Sequence, residues 1–93
     1  MGNQGFRPNP YIVARFFARL RTARGGRLKK TQLQMATGLK WPDFAKYLDR
    51  LVERGLLTME EESEETFVRA TEKGWGIYYS LLQILAELAR PET

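Results

Sequence analysis

The sequence contains no cysteine and no histidine. Without cysteine there is no disulfide, no thiolate nucleophile and no thiolate metal ligand, which fits a reducing compartment. Without histidine the usual general base near neutral pH is missing, as is a common nitrogen ligand for zinc. Carboxylates and lysines remain, and no spacing arranges them as a catalytic site. The chain is therefore expected not to be an enzyme and to need no metal or cofactor. Long hydrophobic runs are lacking too: no stretch approaches the roughly 18–20 apolar residues of a membrane span. No secretory signal pattern opens the chain. The first residues, "MGNQGF", begin like a myristoylation site but carry Phe6 where that motif wants serine or threonine. A cytoplasmic protein without a membrane partner is expected.

What is present suits a single domain with one modest core: 93 residues, 43% hydrophobic and 28% charged. The charge is unevenly spread. Residues 1–54 hold twelve Lys/Arg and three Asp/Glu, a net of +9. Residues 55–93 hold three Lys/Arg and eight Asp/Glu, a net of −5, and the two together give the chain's +4. A basic first half implies a polyanionic partner, nucleic acid ahead of an anionic membrane surface. Against that trend, the stretch "MEEESEE" at 59–65 packs five glutamates around Ser63.

Residues 1–9, rich in glycine, proline and asparagine, read as a flexible N-terminal arm with Arg7 its one charge. Asn9-Pro10 is a helix start. Ile12, Val13, Phe16, Phe17 and Leu20 then recur at three- and four-residue spacing, an amphipathic helix that "RGG" at 24–26 should stop. "RLKK" at 27–30 suggests a stub of strand. Thr31 and Gln34 have capping-box spacing for a short second helix, with Leu33 and either Met35 or Ala36 inward and Gly38 closing it. A third helix begins at Trp41-Pro42, burying Phe44, Tyr47, Leu48, Leu51 and Val52, with Lys46, Asp49, Arg50 and Glu53 on the opposite arc. After Gly55 the composition turns β-prone. "LLTM" and "TFVRA" read as a hairpin with the glutamates at or near its tip. Thr71 begins a last helix that runs to Arg90, ahead of Pro91.

The predicted fold is therefore mostly α with a small β-hairpin: a winged helix-turn-helix at 10–70 plus a C-terminal helix at 71–90. The stretches "LKKTQLQMATGL" (28–39), "YLDRLVERGLL" (47–57) and "TEKG" (71–74) resemble the archaeal winged helix-turn-helix DNA-binding proteins. That group includes small chromatin-type members that dimerise through a long C-terminal helix. The resemblance spans about residues 12–88. It implies binding of double-stranded DNA, a transcriptional or architectural role at the nucleoid, and a homodimer. Two features depart from that pattern: the wing is acidic, and the third helix opens with Trp41-Pro42 rather than a small polar cap.

The candidate DNA-contacting residues are Arg7, Lys29, Lys30, Thr31, Lys40, Trp41, Lys46, Asp49 and Arg50. Lys46 and Arg50 lie four apart on the exposed arc of the third helix. They read either as solvated charge or as major-groove contacts, with Asp49 able to accept from cytosine. Arg7, Lys29, Lys30 and Lys40 are placed for phosphates. Thr31 is either a cap or part of a phosphate-holding helix start. Trp41 either packs onto the third helix or stands exposed at the groove edge.

For the glutamate run three readings stand: a solvated tip, a wing held off the duplex, or a dock for a basic surface. The first two are preferred together. For the last helix, Trp75, Tyr78, Leu82, Leu85 and Leu88 make one apolar stripe, and Ile77, Tyr79, Leu81 and Ile84 much of a second. Coverage this wide points to a dimer seam, carried by Trp75, Tyr78, Leu81, Leu82, Leu85 and Leu88. The alternative is a monomer whose arm wraps the helix with Phe6. A protein-interaction module, using the acidic wing and the apolar helix, is the alternative function.

Overall fold

The structure, a computed structural model, describes residues 5–92. Residues 1–4 of the expected arm lie outside the described residues. The elements in chain order are α1 (Pro10–Arg21), a 3₁₀ turn (Arg24–Gly26), β1 (Arg27–Lys29), α2 (Lys30–Thr37), α3 (Trp41–Glu53), β2 (Leu57–Glu62), β3 (Glu65–Ala70) and α4 (Glu72–Ala89). The sheet is three-stranded and antiparallel, of order β1-β3-β2, and α4 comes after it in the chain. The expected winged helix-turn-helix with an added helix is the observed fold.

Local chemistry explains most of the boundaries. Asn9 caps α1: its side-chain oxygen accepts from the Tyr11 amide at 2.8 Å, with Pro10 in the first turn. The helix stops at Arg21, before the "RGG" expected to end it. Ala23 is already extended, and the chain then reverses into β1 through Gly25 and Gly26, both at φ 72°. A left-handed backbone at two successive positions is what only glycine adopts cheaply. α2 also begins earlier than expected. Because β1 holds the chain extended through Lys29, that residue is the N-cap, and its amide donates to Gln32 Oε1 at 3.0 Å. Thr31 is therefore an exposed residue within the helix rather than its cap. Gln34, expected to close the capping box, donates instead to the Leu39 carbonyl across the turn. Leu33 points inward as expected, while Met35 is 72% exposed.

The core lies between α1, α3 and the sheet. Phe16 and Phe17 of α1, Leu33 of α2, Phe44 and Leu48 of α3, and Leu57 and Val68 of the hairpin are buried. The Phe16 and Phe44 rings stack at 5.5 Å. Arg15 ties α1 to the end of α2 by donating to the Thr37 carbonyl at 2.6 Å. This packing fixes α2 and α3 as one unit, so the exposed side of α3 has a defined orientation.

The residues before α1 are part of that packing. The Asn9 amide donates to the Tyr47 hydroxyl at 2.8 Å, and the Phe6 ring meets Tyr47 edge-on at 4.9 Å. The described part of the arm thus lies along α3. It does not wrap α4.

Thr71 caps α4, its hydroxyl accepting from the Gly74 amide at 2.9 Å. On α4 one stripe packs inward: Tyr78 stacks on Phe17 at 5.4 Å, Trp75 meets Phe17 at 5.7 Å, and Leu82 rests on the core. Ile77, Tyr79, Ile84 and Leu88 are 45–78% exposed. Among the described residues, no helix is long and apolar enough to cross a membrane, and no His/Cys/Asp/Glu group could hold a metal ion.

Candidate nucleic-acid interface

The exposed arc of α3 presents Lys46 and Asp49, with Lys40 at the N-cap and Trp41 and Asp43 in the first turn. Along the helix itself, three acids (Asp43, Asp49, Glu53) face two cations (Lys46, Arg50), so α3 alone is slightly negative. Positive charge reaches this surface from its surroundings: Lys40 at one end and Arg7 on the arm, both exposed. Arg50 is half-buried. Its guanidinium lies 5.3 Å from the Phe6 ring, and its Nε is 3.9 Å from Glu53. Trp41 is both packed and exposed. It packs edge-on against Phe44 at 5.4 Å and is still 46% exposed.

Lys29, Lys30 and Thr31 come together with Glu64, Glu65 and Thr66 around an open cleft of about 250 Å³ between the start of α2 and the wing tip. Lys29 is engaged there, its ammonium 2.8 Å from Glu65. Lys30 opens α2.

The glutamate run is not simply solvated. The hairpin register places Glu60 opposite Phe67 and Glu62 opposite Glu65, with Ser63 and Glu64 as a two-residue turn at φ 52° and 65°. Side chains alternate faces along a strand. One face therefore collects Glu60 and Glu62 of β2, Glu65, Phe67 and Arg69 of β3, and Arg27 and Lys29 of β1. The Arg27 guanidinium lies 3.9 Å above the Phe67 ring, spans β3, and donates to Glu60 at 3.0 Å and also to Glu62. Arg69 donates to the other Glu60 oxygen at 3.0 Å and to the Gly25 carbonyl at 3.0 Å. On the other face, Glu61 accepts from the Thr66 hydroxyl at 2.8 Å. Three cations thus offset the three acids of that face, Glu60, Glu62 and Glu65. The same charges on the outer strand β2 discourage edge pairing with another chain.

Hydrogen bonds from Arg69 and then Arg27 hold the Glu60 carboxyl below the ordinary glutamate value. The bonds to Glu62 and Glu60 raise the Arg27 guanidinium further. A carboxylate with a depressed pKa stabilises the fold above its unfolded value, and that contribution is lost as pH falls through the folded one. The carbon-13 carboxyl signal of Glu60 is therefore expected to titrate below the ordinary range, and Arg27→Ala should raise its midpoint. A midpoint unmoved by that substitution would show that Arg27 does not hold Glu60 in solution.

Sequence patterning assigned no role in the site to Arg27, Phe67, Arg69 or Phe6. Alternation at positions 27 and 29, at 60 and 62, and at 65, 67 and 69 was the available signal for the first three. It acquires meaning once β3 is known to lie between β1 and β2. Of the residues assigned to the seam of the last helix, Tyr78 is buried within the subunit, and Trp75 and Leu82 pack on its core. Leu81 and Leu85 are half-buried and Leu88 is exposed.

Comparison with solved structures finds the same fold at low sequence identity. The MarR family transcriptional regulator Sco5413 from Streptomyces coelicolor superposes with a TM-score of 0.75 at 18% identity, over 84% of this chain and 55% of that one. A mutant MarR from E. coli complexed with operator DNA gives 0.65 at 18% identity, over 76% of this chain and 51% of that one. Sso10a-2, a DNA-binding protein from Sulfolobus solfataricus, gives 0.62 at 24% identity, over 92% of this chain and 100% of that one. The chain thus spans about half the length of these MarR structures and the whole of Sso10a-2. No curated protein sequence matches significantly. The sequence model of the winged helix-turn-helix family matches residues 16–89, most of the chain. The chain belongs to the winged helix-turn-helix family.

Proposed function

We propose that this protein binds double-stranded DNA as a homodimer and acts in transcriptional regulation or in organising the duplex. The carrying observation is the division of charge in the fold. Three of the wing's five acids, Glu60, Glu62 and Glu65, are paired within the sheet by Arg27, Lys29 and Arg69, while Arg7, Lys30, Lys40 and Lys46 lie around α3 and the start of α2. In this reading α3 enters the major groove, and the four outer cations meet phosphates. Asp49 and Trp41 are the groove-side candidates for base selection; Arg50 supports the arm. Sso10a-2 is a DNA-binding protein, and the E. coli MarR mutant is complexed with operator DNA; both support the reading.

The dimer rests on α4. Ile77, Leu81, Ile84 and Leu88 succeed one another at the alternating four- and three-residue spacing of a helix seam. Leu82 is the last residue of α4 packed on the core, and beyond it Leu85 is half-buried while Ile84 and Leu88 are exposed. A second copy of the same helix is the occupant that fits this stripe, and the described part of the arm, which lies on α3, does not compete for it. Two recognition helices in one dimer would read half-sites about 34 Å apart.

Fluorescence anisotropy on a random duplex, taken through a salt series, tests the reading. Four phosphate-contacting cations in each of two copies give a log–log slope of about −7, at roughly −0.9 per contact. Lys30→Ala should reduce its magnitude by about 0.9 per copy. Absence of binding at low salt would instead favour a protein-interaction module, a reading to which the slightly negative α3 lends some support.

A further inference from the structure

A segment of Gly, Pro and Asn has no reason of its own to adopt one conformation. In the described part of this arm Phe6 gives it one. The ring meets Tyr47 edge-on at 4.9 Å, lies 5.3 Å from the Arg50 guanidinium, and is half-buried. Three residues on, the Asn9 amide donates to the Tyr47 hydroxyl at 2.8 Å. The chain between these two anchors therefore runs along the flank of α3, and Arg7 is the charged residue on it. Arg7 itself is exposed. The helix beside it carries three acids against two cations, so phosphate contacts near it fall largely to the cations that flank it.

Given the DNA binding proposed above, on which this role depends, we infer that Phe6 is a positioning residue: it clamps the arm to Tyr47 and Arg50 of α3, and so holds Arg7 beside the recognition helix as a fixed phosphate contact. A cation on a loose arm gives up entropy on binding, and one already held in place gives up less. Phe6 need not touch DNA. Arg50, lying over the Phe6 ring, serves the clamp and stands at its boundary with the helix surface.

The test compares the full-length wild type with Arg7→Ala, Phe6→Ala and the double variant, by anisotropy on one duplex across a salt series. Near-ultraviolet circular dichroism confirms that each is folded. Arg7→Ala should lower the slope's magnitude by about 0.9 per copy and affinity at 0.1 M salt by about eightfold per copy. Phe6→Ala should reproduce much of both losses, and the double variant should lose little beyond Arg7→Ala alone, the non-additivity of two residues acting as one unit. A merely structural role for Phe6 would change affinity without changing the slope. Should Phe6→Ala not fold, Phe6→Leu, which keeps apolar volume but removes the ring that meets Tyr47 and Arg50, carries the same comparison. A wild type that binds, with a slope unchanged by Phe6→Ala, overturns the inference and leaves DNA binding standing. Tighter binding by Phe6→Ala also overturns it, since the arm would then be a cover over α3. A wild type that does not bind the duplex overturns both.

Discussion

Ile84→Glu is expected to convert a two-fold dimer into folded monomers. Ile84 is 57% exposed in the subunit, so the substitution places a carboxylate where water already reaches and should leave the monomer's fold and melting temperature nearly unchanged. In a dimer through α4 the same position lies mid-seam between Leu81 and Leu88, and two-fold symmetry brings the change in twice. Burying an unpaired carboxylate costs about 3 kcal/mol or more. Two of them, about 6 kcal/mol, weaken association by roughly ten-thousandfold at 1.4 kcal/mol per decade. Sedimentation equilibrium at tens of micromolar would read this as a change from dimer to monomer. Wild-type protein that is itself monomeric at that concentration would end the dimer proposal. A dimer that survives Ile84→Glu would place the interface elsewhere.

Tyr78→Ala, by contrast, would confuse the two questions. Tyr78 stacks on Phe17 inside the subunit, so its loss unfolds before it dissociates. From sequence, the two apolar stripes of α4 were visible, but which of them the subunit itself uses was not. That assignment depends on how α1 crosses α4, and Phe17 decides it. The same limit applies elsewhere. The long helices were legible because their apolar period spans several turns, and the hairpin because composition changes after Gly55. β1 is three residues long, too short for its alternation to fix a partner, so its place beside β3 could not be read. Hence neither could the pairing of Arg27 with Glu60, which lie 33 positions apart. The glutamate run looked solvated locally because its counter-charges come from another strand. Phe6 looked like part of a loose arm because its partner, Tyr47, looked like ordinary core.

Gly74 and Gly76 pose this problem in its smallest form. In sequence both are glycines in the first turns of a helix, and each weakens it by about 1 kcal/mol relative to alanine. The structure separates them. A Cβ at Gly76 would meet nothing within 4 Å. Gly76→Ala should therefore stabilise the protein, by up to about 1 kcal/mol from helix propensity alone. A Cβ at Gly74 would lie 2.1 Å from the Leu56 carbonyl oxygen and 3.0 Å from a Phe17 ring carbon. The first of these is backbone and cannot swing aside. It is also the oxygen that accepts from the Thr71 amide at 3.1 Å, so moving α4 outward strains the helix cap as well as the packing of Tyr78 and Trp75 on α1. Overpacking of this kind, with a hydrogen bond disturbed, is expected to cost about 2–4 kcal/mol. For a domain of this size each 1 kcal/mol shifts the melting temperature by roughly 4–8 °C. Gly74→Ala should thus lower it by about 10–25 °C, while Gly76→Ala raises it by a few degrees. The pair shares one chemistry and one helix turn, so a common propensity effect cannot produce opposite signs. Thermal melts in which both variants shift the same way would show that α4 does not approach Leu56 as closely as the fold requires.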